Sequence, residues 1–168
     1  MQAEIYTISG LKSGCLSIMA HPRGNDWLED EIKTLRQAGI DVLISLLTHS
    51  EIRELKLIAE PDLCLAEGIE YLALPVIDRQ VPPFQPATFD FLARLNDLLM
   101  QGKHLVIHCR MGIGRSALVA ASLLVITGMT TDNAFEHVAE ARGFSVPDTD
   151  DQKEWVLRFE NYLVIRNN

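Results

Sequence analysis

The stretch "KHLVIHCRMGIGRSALVAASLLVI", residues 103–126, decides how the chain folds. Its first part, "KHLVIHC", reads as a strand. Its last part, "RSALVAASLLVITG", reads as a core helix whose apolar run is too short to span a bilayer. Between them, "HCRMGIGRS", residues 108–116, packs a histidine, a cysteine, two arginines, two glycines and a serine into one loop. A strand running through a loop into a helix is the unit of a parallel α/β sheet, and such sheets bind ligands beyond the carboxyl ends of their strands. The polar loop lies at that place.

The surrounding chain alternates in the same way. "CLSIMA", "IDVLISLL" and "IEYLALPV" are strand candidates, the second an unbroken apolar run of the kind buried on both faces. In "NDWLEDEIKTLRQAG", Leu28, Ile32 and Leu35 recur at helical spacing, with Asn25 or Asp26 as the expected cap and Gly39 as the stop. "HSEIRELKLIAE" and "PDLCLAEG" read as short helices. "ATFDFLARLNDLLMQG" reads as a helix with Phe91, Leu92, Leu95, Leu98 and Leu99 on one face. "TDNAFEHVAEAR" and "DDQKEWVLRFENYLV" read as amphipathic helices, and "IDRQVPPFQP" as a proline-stiffened loop. The pattern predicts one α/β domain over residues 1–168, a sandwich with a central, largely parallel sheet flanked by helices.

Composition narrows the function. A chain of 168 residues, 48 % hydrophobic, can bury one substantial core. Its formal net charge of −8 argues against a nucleic-acid or anionic-membrane partner, so an anionic substrate must be drawn by local cations. "MQAEIYTISG" has no basic segment followed by an apolar one, and no secretory signal is expected. Cys15, Cys64 and Cys109 are widely spaced with no C-x-x-C pair, which argues against a disulfide framework or zinc site and fits a reducing cytoplasm. No cofactor or metal is expected, and the expected state is a monomer.

The loop itself suits a phosphate. Gly112 and Gly114 allow a turn whose backbone N–H groups, from Arg110 through Met111 and Ile113 to Arg115, point inward. The following helix start adds partial positive charge, and the planar fork of Arg115 can hold two oxygens of a tetrahedral oxyanion. The same field favours a thiolate at Cys109, poised as an in-line nucleophile. A lone strand-end cysteine is ordinarily a small buried hydrophobe, and a glycine-rich turn alone is weak. Their coincidence with an arginine and a helix start at fixed offsets favours the cup. G-K-[ST] is absent, so it is not a Walker loop.

"HCRMGIGRS" matches H-C-x5-R-S and resembles the signature of the cysteine-dependent protein tyrosine phosphatase superfamily. The short chain looks like its compact dual-specificity branch. "GLKSGCLSIMAHPRG" and the loop are similar to small bacterial phosphatases and to the cyclin-dependent-kinase-associated phosphatase group. The resemblance implies that Cys109 forms a phosphocysteine intermediate and that Arg115 and the loop amides hold the phosphoryl oxygens. It further implies that Ser116 donates to the sulfur and that His108 tunes the thiolate through the loop. The implied substrate is a phosphoprotein carrying phosphotyrosine, and also phosphoserine or phosphothreonine. Phosphoinositides, small phosphoesters and binding without catalysis stay open, as does sulfur transfer or arsenate reduction on the same cup.

The leaving oxygen needs a proton. Asp78, after a strand in the proline-rich loop, is the candidate, against an ordinary Asx-turn role; Asp62 and Asp90 fall in expected helices. The resemblance agrees, since the family's general acid lies on such a loop before the cysteine. It also implies a glutamine that sets the hydrolytic water, for which Gln152 is the match, with a solvated helix position as the alternative. Arg79 is open between attracting substrate and facing solvent. His137 and Arg142 read as helix surface, Trp155 and Phe159 as core.

Overall fold

A computed structural model of the chain describes residues 3–168. Five strands form one sheet in the order β1-β2-β5-β3-β4. β5 (His104–His108) is central and pairs in parallel with β2 (Cys15–Met19) and β3 (Val42–Ser45). β4 (Glu70–Ala73) continues the parallel run beyond β3, and β1 (Tyr6–Ile8) closes the other edge antiparallel to β2. Met19, His108 and Ser45 lie side by side in register, so three strands deliver their carboxyl ends to one level, and Cys109 is the next residue.

Strand side chains alternate between the faces and build two cores. Leu105 and Ile107 pack with Leu16, Ile18, Val42 and Ile44 beneath α4 (Pro86–Met100), α5 (Arg115–Ile126), α6 (Thr131–Arg142) and α7 (Asp150–Asn167). Val106, Met19 and Leu43 face the other way, against α1 (Leu28–Gln37) and α3 (Glu60–Ala66). The short α2 (His49–Glu54) follows β3 at the carboxyl edge of the sheet. α5 is buried on all sides from Arg115 to Val125, which is why its sequence is apolar without a polar face.

Most expected elements form. β1 is an addition: three residues give no readable alternation, and their pairing to β2 defines them. Neither Asn25 nor Asp26 caps α1, correcting the expected start. Residues Asn25–Trp27 form a 3₁₀ turn instead, with Trp27 as the cap residue and no side-chain cap bond. The Asn25 N–H donates to Lys56 O at 3.1 Å, and Asn25 sits in the left-handed region at φ 59°, so a tertiary contact takes it away from capping. In α4, Leu92, Leu95 and Leu99 are buried, while Phe91 and Leu98 pack at the margin of the core. β4 ends at Ala73, although Leu74 and Val76 still donate to Ser45 O and Leu46 O at 3.0 Å each.

Trp155 and Phe159 are core residues, as expected. Their rings stack at 5.6 Å, and Phe84 from the proline-rich loop meets Trp155 edge-on at 5.4 Å. Trp155 Nε1 also donates to Pro82 O at 2.9 Å, so α7 pins that loop by both packing and a hydrogen bond. Trp155→Ala should therefore cost about 3–5 kcal/mol by urea denaturation. Trp155→Phe, which keeps an aromatic ring but loses the donor and part of the indole's volume, should cost less, about 1–3 kcal/mol.

Candidate active site

Cys109 follows the last residue of β5 and is buried, and the Gly112 N–H donates to its Sγ at 3.3 Å. Gly112 sits at φ 69°, and a Cβ there would stand 2.7 Å from Met19 O. Only glycine lets the loop turn this close to β2. Gly114 caps α5, so the helix start faces the cup from the other side.

Arg115 is the structural centre of the site, its side chain only 2 % exposed. Nη1 donates to Glu51 Oε2 at 2.9 Å and to Val76 O at 2.7 Å. Nη2 donates to Glu51 Oε1 at 2.9 Å and to Asp78 Oδ1 at 3.0 Å. Glu51 is itself held: it completes a capping box in which the Thr48 N–H donates to Glu51 Oε2 at 2.9 Å and the Glu51 N–H donates to Thr48 Oγ1 at 3.4 Å. Burial alone would raise the pKa of Glu51. The Arg115 hydrogen bonds, the Thr48 N–H and the Arg115 charge outweigh it and pull the value from 4.5 down to about 2. Arg115 moves up in turn, burial being outweighed by Glu51 and by the neighbouring Cys109 and Asp78.

Asp78, Cys109, Met111, Ile113, Gly114, Arg115 and Gln152 line one cavity of about 280 Å³. Asp78 Oδ1 also accepts from the Arg79 N–H at 3.0 Å. Arg79 lies at the mouth in the left-handed region, φ 62°, and pairs with Asp148 at 3.2 Å. A larger, more open hollow of about 560 Å³ lies between Asn25, Lys56 and Leu63; it has no cysteine or arginine in its lining.

The other expected residues differ in detail. Ser116 is fully buried, but its Oγ makes no hydrogen bond among the described residues. The Gly112 N–H donates to the sulfur in its stead. The Arg110 side chain turns away from the cup, to Glu51 at 3.4 Å and Glu54 at 3.1 Å, so Arg110 contributes only its backbone to the loop. Gln152 is buried at the cavity wall, not solvated. Its Oε1 accepts from the Asp148 and Thr149 N–H groups at 3.1 Å each, and its Nε2 donates to Gln80 O at 3.2 Å. One amide hydrogen of Gln152 is left for a further partner. His108 lies behind the loop, fully buried, with Nδ1 3.4 Å from Cys109 O and Nε2 3.0 Å from Glu60 Oε1.

Two contacts escape sequence reasoning. Glu51 was signalled only by T-x-x-E ahead of a helix, which reads as a cap and gives no hint of a partner. Arg142 is not plain helix surface: it donates to Gly112 O at 3.2 Å and Met111 O at 3.4 Å, with its guanidinium 4.3 Å over the Tyr6 ring. It clamps the back of the loop. His137 remains peripheral, 3.1 Å from Ser9 Oγ.

A family model described as "Polymorphic toxin system, DSP-PTPase phosphatase" matches residues 17–129. The chain belongs to this family. Among curated proteins, the DSP-PTPase chain is 28 % identical to tyrosine-protein phosphatase vhp-1 of Caenorhabditis elegans over 83 % of its length. It is 25 % identical to cyclin-dependent kinase inhibitor 3 of Rattus norvegicus over 81 %. It spans 21 % of the first and 65 % of the second. Among solved structures, kinase associated phosphatase superposes with TM-score 0.87 at 22 % identity, covering 98 % of this chain and 97 % of that one. PTPMT1 in complex with PI(5)P superposes at 0.71 with 19 % identity, covering 91 % and 94 %. Both share the fold.

The Glu51–Arg115 pair sets a pH dependence. A carboxylate whose pKa is lower folded than unfolded stabilises the fold above its unfolded value and loses that contribution as pH falls through the folded one. The window for Glu51 runs from 4.5 down to about 2. Glu51→Gln should cost roughly 3 kcal/mol at neutral pH by leaving a buried cation underpaired. The melting temperature of the wild type should fall steeply across that acid window, and the variant should lose most of that slope.

Proposed function

We propose that the chain hydrolyses phosphomonoesters of phosphoproteins, phosphotyrosine foremost with phosphoserine and phosphothreonine as further substrates, through a phosphocysteine intermediate. One observation carries the reading: Cys109, the Arg115 fork and the Asp78 carboxylate share a single cavity. The family description and the name of the vhp-1 relative, a tyrosine-protein phosphatase, support it.

The chemistry follows from these parts. A phosphate dianion enters against Arg115 Nε and Nη2, taking Nη2 from Asp78, and the released carboxylate takes up a proton from solvent before it meets the leaving oxygen. The Cys109 thiolate attacks phosphorus; a P–S bond forms, the P–O bond breaks, and Asp78 gives its proton to the departing oxygen. Water then attacks the phosphocysteine, Asp78 takes a proton from it, and the thiolate and inorganic phosphate are released. The remaining amide hydrogen of Gln152 is the group that orients this water. Because Glu51 fixes the guanidinium before substrate arrives, the charge that spreads over the equatorial oxygens meets a preset partner.

A phosphoinositide reading draws on the PTPMT1 complex with PI(5)P. A second phosphate on the substrate would need a spare cation at the mouth. Arg79 is paired with Asp148, and Arg110 with Glu51 and Glu54, which favours a singly phosphorylated group on a protein.

A phosphotyrosine peptide should be turned over in the presence of chelator, and Cys109→Ser should bind it without turnover. Binding without turnover in the wild type would leave only a phosphate-binding module, and preference for inositol lipids in a mixed panel would move the substrate class. Asp78→Asn should slow alkyl phosphate or phosphotyrosine turnover by roughly 10²–10⁴ and affect the burst of an activated aryl phosphate much less. Equal losses on both would remove Asp78 from the acid role.

A further inference from the structure

The phosphoryl-transfer chemistry leaves a fully buried carboxyl group unused. Glu60, the first residue of α3, is 0 % exposed and lies behind the nucleophile loop, with Oε1 3.0 Å from His108 Nε2. No lysine or arginine among the described residues comes within ion-pair distance of it. The groups facing it are Cys64 from α3 and Tyr71 from β4, with Ser45 of β3 and Met19 of β2 flanking His108 in register. Burial, with the Glu60 charge adding to it, pushes both Cys64 and Tyr71 up to about 12, so both stay neutral near pH 7. His108 is the neighbour left to balance a carboxylate.

The proton positions follow from the ring's two contacts. His108 Nδ1 faces Cys109 O at 3.4 Å, and a carbonyl only accepts, so Nδ1 carries hydrogen. Two arrangements then satisfy Nε2: a neutral ring accepting from a protonated Glu60, or an imidazolium beside a carboxylate. The first needs a well-directed O–H···N bond. The 3.0 Å approach is short, yet neither Glu60 oxygen nor His108 Nε2 has hydrogen-bond directionality. An ion pair tolerates that geometry and a neutral bond does not.

We infer that Glu60 is the counter-ion that holds His108 as an imidazolium behind the loop, and that it is a positioning residue for the Cys109 thiolate. The effect travels through the backbone, because Cys109 joins one core while His108 and Glu60 lie on the other side of the sheet with Cys64. The Nδ1–H pulls on the carbonyl of the peptide joining Cys109 to Arg110. That polarises the Arg110 N–H of the same peptide, one of the amides that faces an anion in the cup. A fixed cation with its anion on the far side presents its positive end to the loop. The role for Cys109 rests on the nucleophile reading; the charge of His108 does not.

Two measurements test this. Nitrogen-15 shifts of the His108 ring should show both nitrogens protonated at about pH 7 in the wild type and a neutral ring in Glu60→Gln, which keeps size and hydrogen-bonding capacity but not charge. A neutral ring in the wild type would overturn the assignment. Site-resolved alkylation by iodoacetamide reads the positioning role, with Cys15, which does not face Glu60, as internal control. Cys109 alkylation at about pH 6 should slow by about tenfold in Glu60→Gln, because the reactive thiolate fraction falls by that factor, and the gap should close at high pH. An alkylation profile that glutamine leaves at wild type would mean that Glu60 serves only packing, and would overturn the role. If Glu60→Gln does not fold, the wild-type spectrum decides the charge and His108→Gln decides the role by the same alkylation assay. In a wild-type protein that turned nothing over, the phosphatase reading would fall while a doubly protonated ring still upheld the ion pair.

Discussion

A buried guanidinium is the constraint around which this structure is arranged. Arg115 begins a buried helix and touches solvent only through the cavity it lines, so its charge must be met largely inside the protein. Two separate segments meet it with three groups: Glu51 from α2, and the Val76 carbonyl and Asp78 carboxylate from the loop after β4. Glu51 in turn is fixed by Thr48 through the capping box, so a local helix signal becomes the anchor of a long-range pair. The pairing leaves the planar fork in one orientation, which is what an oxyanion site needs and what a mobile cation would not supply.

The loop that carries Cys109 is braced as rigidly as the arginine. Its floor is the level carboxyl edge of β2, β5 and β3, and Gly112 packs against Met19 O too closely for any side chain. Arg142 holds the Met111 and Gly112 carbonyls from behind, directing the corresponding N–H groups toward the cup. Preset amides of this kind need little reorganisation when an anion binds.

The loop carrying Asp78 has a different support. Its far end is bound to α7 through Trp155, Phe84 and the Pro82 carbonyl, and its middle through Gln152 and Gln80 O. Asp78 itself remains half exposed, with Arg115 and its own following N–H as partners. The loop is firmly anchored while this half-exposed carboxyl, held by two hydrogen bonds, keeps room to turn into the cavity.

The sequence alone determined the strand–loop–helix unit, the alternation that builds a parallel sheet, and the cysteine, glycines and arginine of the cup, because all of these are set by local periodicity and fixed spacing. Asp78 was also legible, from a proline-rich loop after a strand. The antiparallel β1, the tertiary bond that keeps Asn25 from capping α1, and the turn of Arg110 toward Glu54 were not. Glu51 and Glu60 fall inside one expected short helix with nothing to mark them for the site, and Arg142 reads as helix surface. Each acquires its role from a partner 30 to 64 residues away, and local periodicity carries no information about which distant residue a buried charge will meet. Only the packing of helices on the two faces of the sheet decided that, because a charge taken out of water must find its counter-charge in the folded chain.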